Sequence, residues 1–417
     1  MVRVYHSHFC KLSPNVKLFL IGNAIQGLGL SIYGLLFNLY LKELGFGEST
    51  IGGLISTGSL GISLMAVPAA LIIEKFHVKH LVTASMFLSS VFYALQVLNI
   101  EEGSLFTFGL LASMFQALFN ISVSPFYLKN SKPEQRVHLF TMNSSMNIAA
   151  HFLGYLIGGF LPDLIETLIP ALSKVEVYRS SIMLALGAVF SSNIMFLQIK
   201  RLPTKKINKK LFEGLREKEW HLLARLILPK LCFAFGGGLI VPFMNLYLKE
   251  KFYLSTDKIG VTYAVLQLFI FLGIFAIPTI IKKTTHLRFI VFTGLCSIPF
   301  MITMGITANI TLVLGCFFMR GMLMNMSGPI TSMFEMEKVR EEESIFASAI
   351  IIFFYHLVYT TSTRIGGYLI ETYSFGQTFY IAGLFYALAI TLYYYFFKDD
   401  SKAQENDCNV DITEEAA

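Results

Sequence analysis

Arg320 lies within a long uncharged run, with Asn309 to Met319 before it and Gly321 to Phe334 after it. A guanidinium in such a setting suits an anionic or strongly hydrogen-bond-accepting group on a ligand. It would serve equally as a strut to backbone carbonyls or to a neighbouring asparagine. Asn325, in the same run, is grouped with it as a substrate contact. A second set of polar residues repeats at helical spacing: His356, Thr360 and Arg364 fall at i, i+4 and i+8, as do Asn143, Asn147 and His151. Histidine is the side chain that changes charge near neutral pH. His151 and His356, with Arg364, are therefore candidates for a protonation step, the alternative being hydrogen bonds that join helices. Neutral amides complete the set: Asn23 and Gln26 in the first apolar run, Gln116 and Asn120 at i, i+4 in the fourth.

The elements that carry these residues follow from composition. The chain has 417 residues, 54% hydrophobic and only 14% charged, with a mean hydropathy of +0.62, whereas soluble domains carry about a quarter charged residues. Uncharged apolar stretches of 18 residues or more recur, each long enough to cross a hydrocarbon core of about 30 Å. They are continuous rather than alternating with period two, so the backbone must satisfy its own polar groups as helices and not as a barrel. The spacing predicts an all-α integral membrane protein with twelve spans near 16–41, 51–73, 81–99, 104–128, 138–162, 180–199, 226–248, 259–281, 289–308, 310–334, 345–370 and 375–397. By this count Arg320 lies near the midplane. A charge at the bilayer centre costs about 2.5–3.5 kcal/mol on insertion scales, so it needs a partner, water or a task.

Charge sets the orientation. With both termini inside, 24 of the 33 basic residues fall on the cytoplasmic side, 6 opposite and the rest within spans, as retention of Lys and Arg requires. The net charge of +6 is thus a membrane-facing bias, and no nucleic-acid partner is implied. The five cysteines form no CxxC pair, and neither a disulfide framework nor a metal site is indicated. No cofactor is expected, and no HExxH or GxSxG motif marks an enzyme.

The segmentation is an N-terminal cytoplasmic segment (1–15), a six-helix bundle (16–199), a basic linker (200–225), a second six-helix bundle (226–397) and an acidic tail expected to be disordered (398–417). In the linker, Leu211, Phe212, Leu215, Trp220 and Leu223 alternate with basic residues and predict a helix at the headgroup level. Asn38-Leu-Tyr-Leu-Lys-Glu43 recurs as Asn245-Leu-Tyr-Leu-Lys-Glu250, and each copy is followed by an Ile-Gly step, Ile51-Gly52 and Ile259-Gly260. Gly158-Gly159 and Pro125 find counterparts in Gly366-Gly367 and Pro329 at nearly the same offset. The chain is a duplicated six-helix unit.

Two such halves, a basic central loop and these glycines resemble a major facilitator superfamily transporter. The run Arg320 to Pro329, with Glu341-Glu342-Glu343-Ser344 after it, is similar to bacterial members grouped with drug/proton antiporters. The resemblance implies two pseudo-symmetric bundles and rocker-switch alternating access. It further implies a cavity lined by the first, fourth and tenth spans, with Arg320 opposite Gln116, and a conformational latch in the loop after the second span, where Glu74, Lys75 and Lys79 stand. That loop lacks the usual glycines, Ser113 replaces the antiporter arginine three residues before Gln116, and Tyr155 replaces a proline after Gly154. The expectation is a monomeric secondary active transporter in the cytoplasmic membrane, in contact with membrane lipid, that exports amphipathic small molecules with protons as a candidate coupling ion. The alternatives are uptake or exchange of an organic anion, and a non-transporting receptor or scaffold.

Overall fold

The computed structural model describes residues 12–131, 133–200, 217–281, 284–339 and 344–415. Every regular element among them is helical: α1 (Pro14–Glu43), α2 (Glu48–Lys75), α3 (Val78–Leu98), α4 (Glu102–Asn130), α5 (Pro133–Leu168), α6 (Lys174–Gln198), α7 (Glu217–Ile240), a 3-10 turn (Val241–Phe243), α8 (Met244–Phe252), α9 (Thr256–Ile281), α10 (His286–Ile306), α11 (Ile310–Lys338), α12 (Ser344–Thr372) and α13 (Phe375–Glu415). Eleven helical stretches among the described residues are long and apolar enough to cross a membrane, one of them formed by α7 and α8 together. α12 is 29 residues long, as are α4 and α11. The chain is a multi-pass membrane protein.

Local chemistry sets several boundaries. Ser13 caps α1 by accepting from the Val16 amide at 3.4 Å, with Pro14 in the first turn. Ser173 and Glu176 close a capping box on α6, and Thr285 caps α10 through the Arg288 amide. Gly45, at φ 90°, makes the left-handed turn between α1 and α2. Past Lys398, where the sequence predicts an acidic tail, α13 is helical through Glu415. The headgroup helix expected of the linker falls largely outside the described residues, and its Trp220 lies in the first turns of α7, exposed.

The chain divides into two compact units. One contains the residues up to Lys209 with Pro242–Gln267, the other Lys210–Val241 with Leu268 onward. Both repeat one packing scheme: in the first, α1 lies against α6 and α5, α3 against α4 and α6; in the second, α7 lies against α13 and α12, α10 against α11 and α13. The duplication read from six residues is therefore also a duplication of helix neighbours. Phe19, Phe119, Phe126 and Phe196 form the core of the first unit, with Phe19 stacked on Phe126 at 4.3 Å between centroids. Phe289, Phe334, Tyr393 and Phe397 hold the second.

The path of the seventh span is broken where the chain passes from one unit to the other, at Val241–Phe243. Pro242 cannot donate to a helical ladder, which accounts for the break. Within the first unit α5 and α9 cross with their backbones in contact. A Cβ built on Gly159 would stand 2.9 Å from the Gly260 Cα, and one on Gly260 would stand 2.5 Å from the Gly159 Cα and 2.6 Å from the Tyr155 carbonyl. Only glycine fits on both sides. Gly260→Val should cost about 1–3 kcal/mol through overpacking, read as a lowered midpoint in thermal unfolding of the detergent-solubilised protein; an unchanged midpoint would show that the crossing can spread without penalty.

Candidate functional site

The two copies of the repeated hexapeptide touch each other, both within the first unit. Asn38 near the end of α1 donates through Nδ2 to Asn245 Oδ1 at 3.0 Å and to the Pro242 carbonyl at 2.7 Å. Asn245 at the start of α8 donates back to the Leu35 carbonyl at 2.9 Å, and both amides are buried. The basic and acidic ends then pair crosswise: Lys42 Nζ lies 3.0 Å from Glu250 Oε1, and Lys249 Nζ lies 2.7 Å from Glu43 Oε1. Lys42 also pairs with Glu48 at the start of α2. A motif with Lys followed by Glu is self-complementary when two copies meet about a pseudo-twofold axis, since each lysine finds the other copy's glutamate. The contact extends through Tyr178, whose hydroxyl shares a 2.7 Å hydrogen bond with Thr256 and whose ring lies under Lys249 at 5.2 Å.

In the second unit Arg320 is 5% exposed on α11. Its Nη2 donates to the Tyr386 hydroxyl on α13 at 2.9 Å, and the guanidinium carbon lies 5.2 Å from that ring's centroid. The Arg320 Nε is buried with no hydrogen-bond partner among the described residues. No carboxylate pairs with Arg320 among those residues, so its charge is met by a phenol alone. The strut alternative of carbonyls or a neighbouring asparagine is not what the structure has: Asn325 turns back to the Gly321 carbonyl of its own helix at 2.8 Å. The stripe on α12 also separates. His356 has a buried Nδ1 without a hydrogen-bond partner among the described residues, Thr360 bonds the His356 carbonyl at 2.8 Å, and Arg364 is exposed.

In the first unit the amides of α1 and α5 do come together. Asn23 Nδ2 donates to Asn143 Oδ1 at 2.9 Å and to Asn147 Oδ1 at 3.3 Å, and the Tyr127 hydroxyl donates to Asn143 Oδ1 at 2.7 Å. His151, one turn on, packs edge-to-face on Tyr155 at 6.2 Å, near Gly27 of α1. Gln26 is buried, and its Oε1 has no hydrogen-bond partner among the described residues. Gln116 Nε2 donates to Asn120 Oδ1 at 3.2 Å and Gln116 accepts from Ser89 at 3.3 Å. Around the α2–α3 turn, the Glu74 side chain lies outside the described residues, Lys75 is exposed and Lys79 half-buried; neither lysine has an ion-pair partner among the described residues.

Sequence reasoning missed one cluster. Lys230 on α7 and Glu335 on α11 form an ion pair of 2.6 Å, with Glu335 2% exposed, and the Tyr393 hydroxyl donates to the second carboxylate oxygen at 3.2 Å. The two residues are 105 apart and on different helices, so no local spacing links them. The repeat, by contrast, offered a readable signal that went unused, namely the opposite charges adjacent in both copies.

The family model for the Major Facilitator Superfamily matches residues 19–363. The chain belongs to the Major Facilitator Superfamily. No curated protein is significantly similar to it in sequence. Its fold is similar to that of a bacterial homolog of the human lysosomal transporter Spinster in an inward-facing, unoccupied conformation, at 13% identity, with 91% of this chain and 95% of that one covered and a TM-score of 0.73. A bacterial homologue of the iron transporter ferroportin, inward-facing, is 15% identical over 91% and 97% with a TM-score of 0.70. The nucleoside transporter NupG is 12% identical over 92% and 98%, also at 0.70. This member of the superfamily thus has a transporter fold whose repeat copies bind each other. Lys249→Glu and Glu43→Lys should each lower thermal stability, while the double reversal recovers it with a coupling of about 1 kcal/mol, the scale of a partly exposed pair; additive losses would mean that the two side chains do not interact.

Proposed function

We propose that this protein is a secondary active transporter of an organic anion, working by alternating access, with Arg320 as the residue that meets the substrate's charge. The observation that carries this reading is the buried guanidinium, bonded to a neutral phenol and with an unpartnered Nε. A charge inside a membrane bundle with no counter-charge is costly unless a ligand supplies one. Burial also makes a hydrogen-bonded anion worth more here than at a wet surface.

The basic-residue distribution supports an orientation in the cytoplasmic membrane with both termini on the cytoplasmic side. On that orientation the Asn38–Asn245 contact and its crossed ion pairs lie at the outer end and close it. Opening that end would exchange the pairs for water, a modest cost for charges that are about a quarter to a third exposed. The protein acts as a monomer with a small-molecule substrate in this reading, and lipid is its other partner.

A second reading, export of uncharged or cationic amphipathic compounds, is favoured by the amide cluster of Asn23, Asn143 and Asn147 and by the open acceptor on Gln26. These groups offer hydrogen bonds without charge. The eroded antiporter positions, Ser113 and Tyr155, weigh against it.

Thermal-shift titration of the purified protein with matched organic anions, cations and neutral amphiphiles separates the two, followed by counterflow in proteoliposomes with whichever class binds. Anions should stabilise the protein, and Arg320→Gln should weaken their binding about 10- to 100-fold, the worth of one charge-assisted contact. Stabilisation by neutral or cationic amphiphiles alone, unaffected by Arg320→Gln, would replace the anion reading with the second one. Binding without flux of any class would point to a receptor or scaffold.

A further inference from the structure

We propose that Glu335 is the proton-binding group of the transport cycle, with Lys230 as its exchangeable counter-ion and Tyr393 as its fixed hydrogen-bond donor. The proposal rests on the reading of the chain as a transporter but not on which substrate it moves.

The geometry is that of a carboxylate with two unlike partners. Oε2 faces Lys230 Nζ at 2.6 Å and Oε1 accepts from Tyr393 at 3.2 Å. The pair is asymmetric in its access to solvent: Glu335 is 2% exposed while the Lys230 side chain is 22% exposed. Tyr393, which donates to the carboxylate, belongs to the apolar core with Phe334, Ile330, Phe397 and Leu226. A buried ion pair gives little net stability over an apolar pair of the same volume, because desolvating two charges offsets their attraction. Its presence in an otherwise greasy bundle therefore calls for a use beyond holding α7 to α11.

Other charged and titratable groups lie on the helices packed around this pair. From α7, Arg225 lies over the rings of Phe396 and Phe397. From α12, His356 is in electrostatic range of Lys230, and Tyr355 in range of Tyr393. On α11 itself, Lys338 covers Phe334 and Glu337 pairs with His286 of α10 at 3.1 Å. Lys230 is the cation that touches the Glu335 carboxylate among the described residues, so its departure leaves a buried acid without a counter-charge.

The step is a simple exchange. A proton from water adds to Oε2 as Lys230 Nζ–H leaves it, Lys230 keeps its charge and turns toward its solvated side, and the charge of the pair rises from zero to plus one. Tyr393 continues to donate to Oε1, which keeps the neutral acid in place. Lys230 follows Pro229 on α7, and the same path continues through the broken turn at Val241–Phe243 to Asn245. Release of Lys230 thus loosens the segment that leads to the contact between the repeat copies. Tyr386 and Tyr393 lie two turns apart on one face of α13, with Tyr355 in electrostatic range of both, so phenols connect Arg320 to the acid.

Infrared difference spectroscopy on the full-length protein in lipid, titrated between about pH 5 and pH 9 with no organic anion present, tests this directly. A protonated-carboxyl carbonyl band should grow as pH falls, disappear in Glu335→Gln and remain, displaced, in Glu335→Asp. Lys230→Gln should move its midpoint up by at least about one pH unit, because the acid then lacks its counter-charge. Since no substrate is present, failure of the anion reading leaves the spectra unaffected. A band that persists in Glu335→Gln, or a midpoint that stays put in Lys230→Gln, would overturn the proposal. Should Glu335→Gln not fold, the wild-type and Lys230→Gln spectra still decide: no titrating carboxyl band in either would make the pair a static strut.

Discussion

A side-chain amide sealed among membrane helices must find donors and acceptors in protein, because lipid offers none. Asn38 and Asn245 meet that requirement through one another, each also bonding backbone of the other's segment. Two copies of one short sequence thereby complete each other, and the lysines and glutamates that follow pair crosswise as a consequence of the same symmetry. The close crossing of Gly159 and Gly260 brings α9 into the same contact. That mutual satisfaction falls within one compact unit, which includes Pro242–Gln267.

Elsewhere the same constraint selects residues by whether they have a partner. Lys230 and Glu335 neutralise each other under a phenol, and Asn23, Asn143 and Asn147 share their hydrogen bonds. Arg320 stands apart, a charge answered by a ring and a hydroxyl. In a membrane bundle that imbalance is informative, since an unmet charge is tolerated where a ligand or water meets it for part of a cycle.

The fold was legible because crossing a bilayer imposes a minimum length that 417 residues of this composition reveal directly, and because duplication left a readable six-residue echo. Arg320 was legible as a charge in a long uncharged run, but Tyr386 was not, being one of 19 tyrosines with no local mark. The α12 stripe spreads around its helix for a geometric reason: eight residues turn a helix about 80° past alignment, enough to leave Arg364 exposed while His356 is half-buried. Lys230 and Glu335 were hidden because their meaning lies in a contact between distant helices, whereas each taken alone reads as a residue near a span end. The hexapeptide was seen as evidence of ancestry, and its adjacent opposite charges, which make it self-binding, needed the two helix ends to be placed together.

Alternating access requires the contact between the repeat copies to open during transport. Spin labels at Leu44 and Tyr253, beyond the ends of α1 and α8, report on it by electron–electron distance measurement in lipid bilayers. Two distance populations are predicted, with the longer one enriched when Lys249→Glu breaks a crossed pair. A single distance, unchanged by that substitution and by every class of added solute, would contradict the claim and leave the contact as fixed scaffolding.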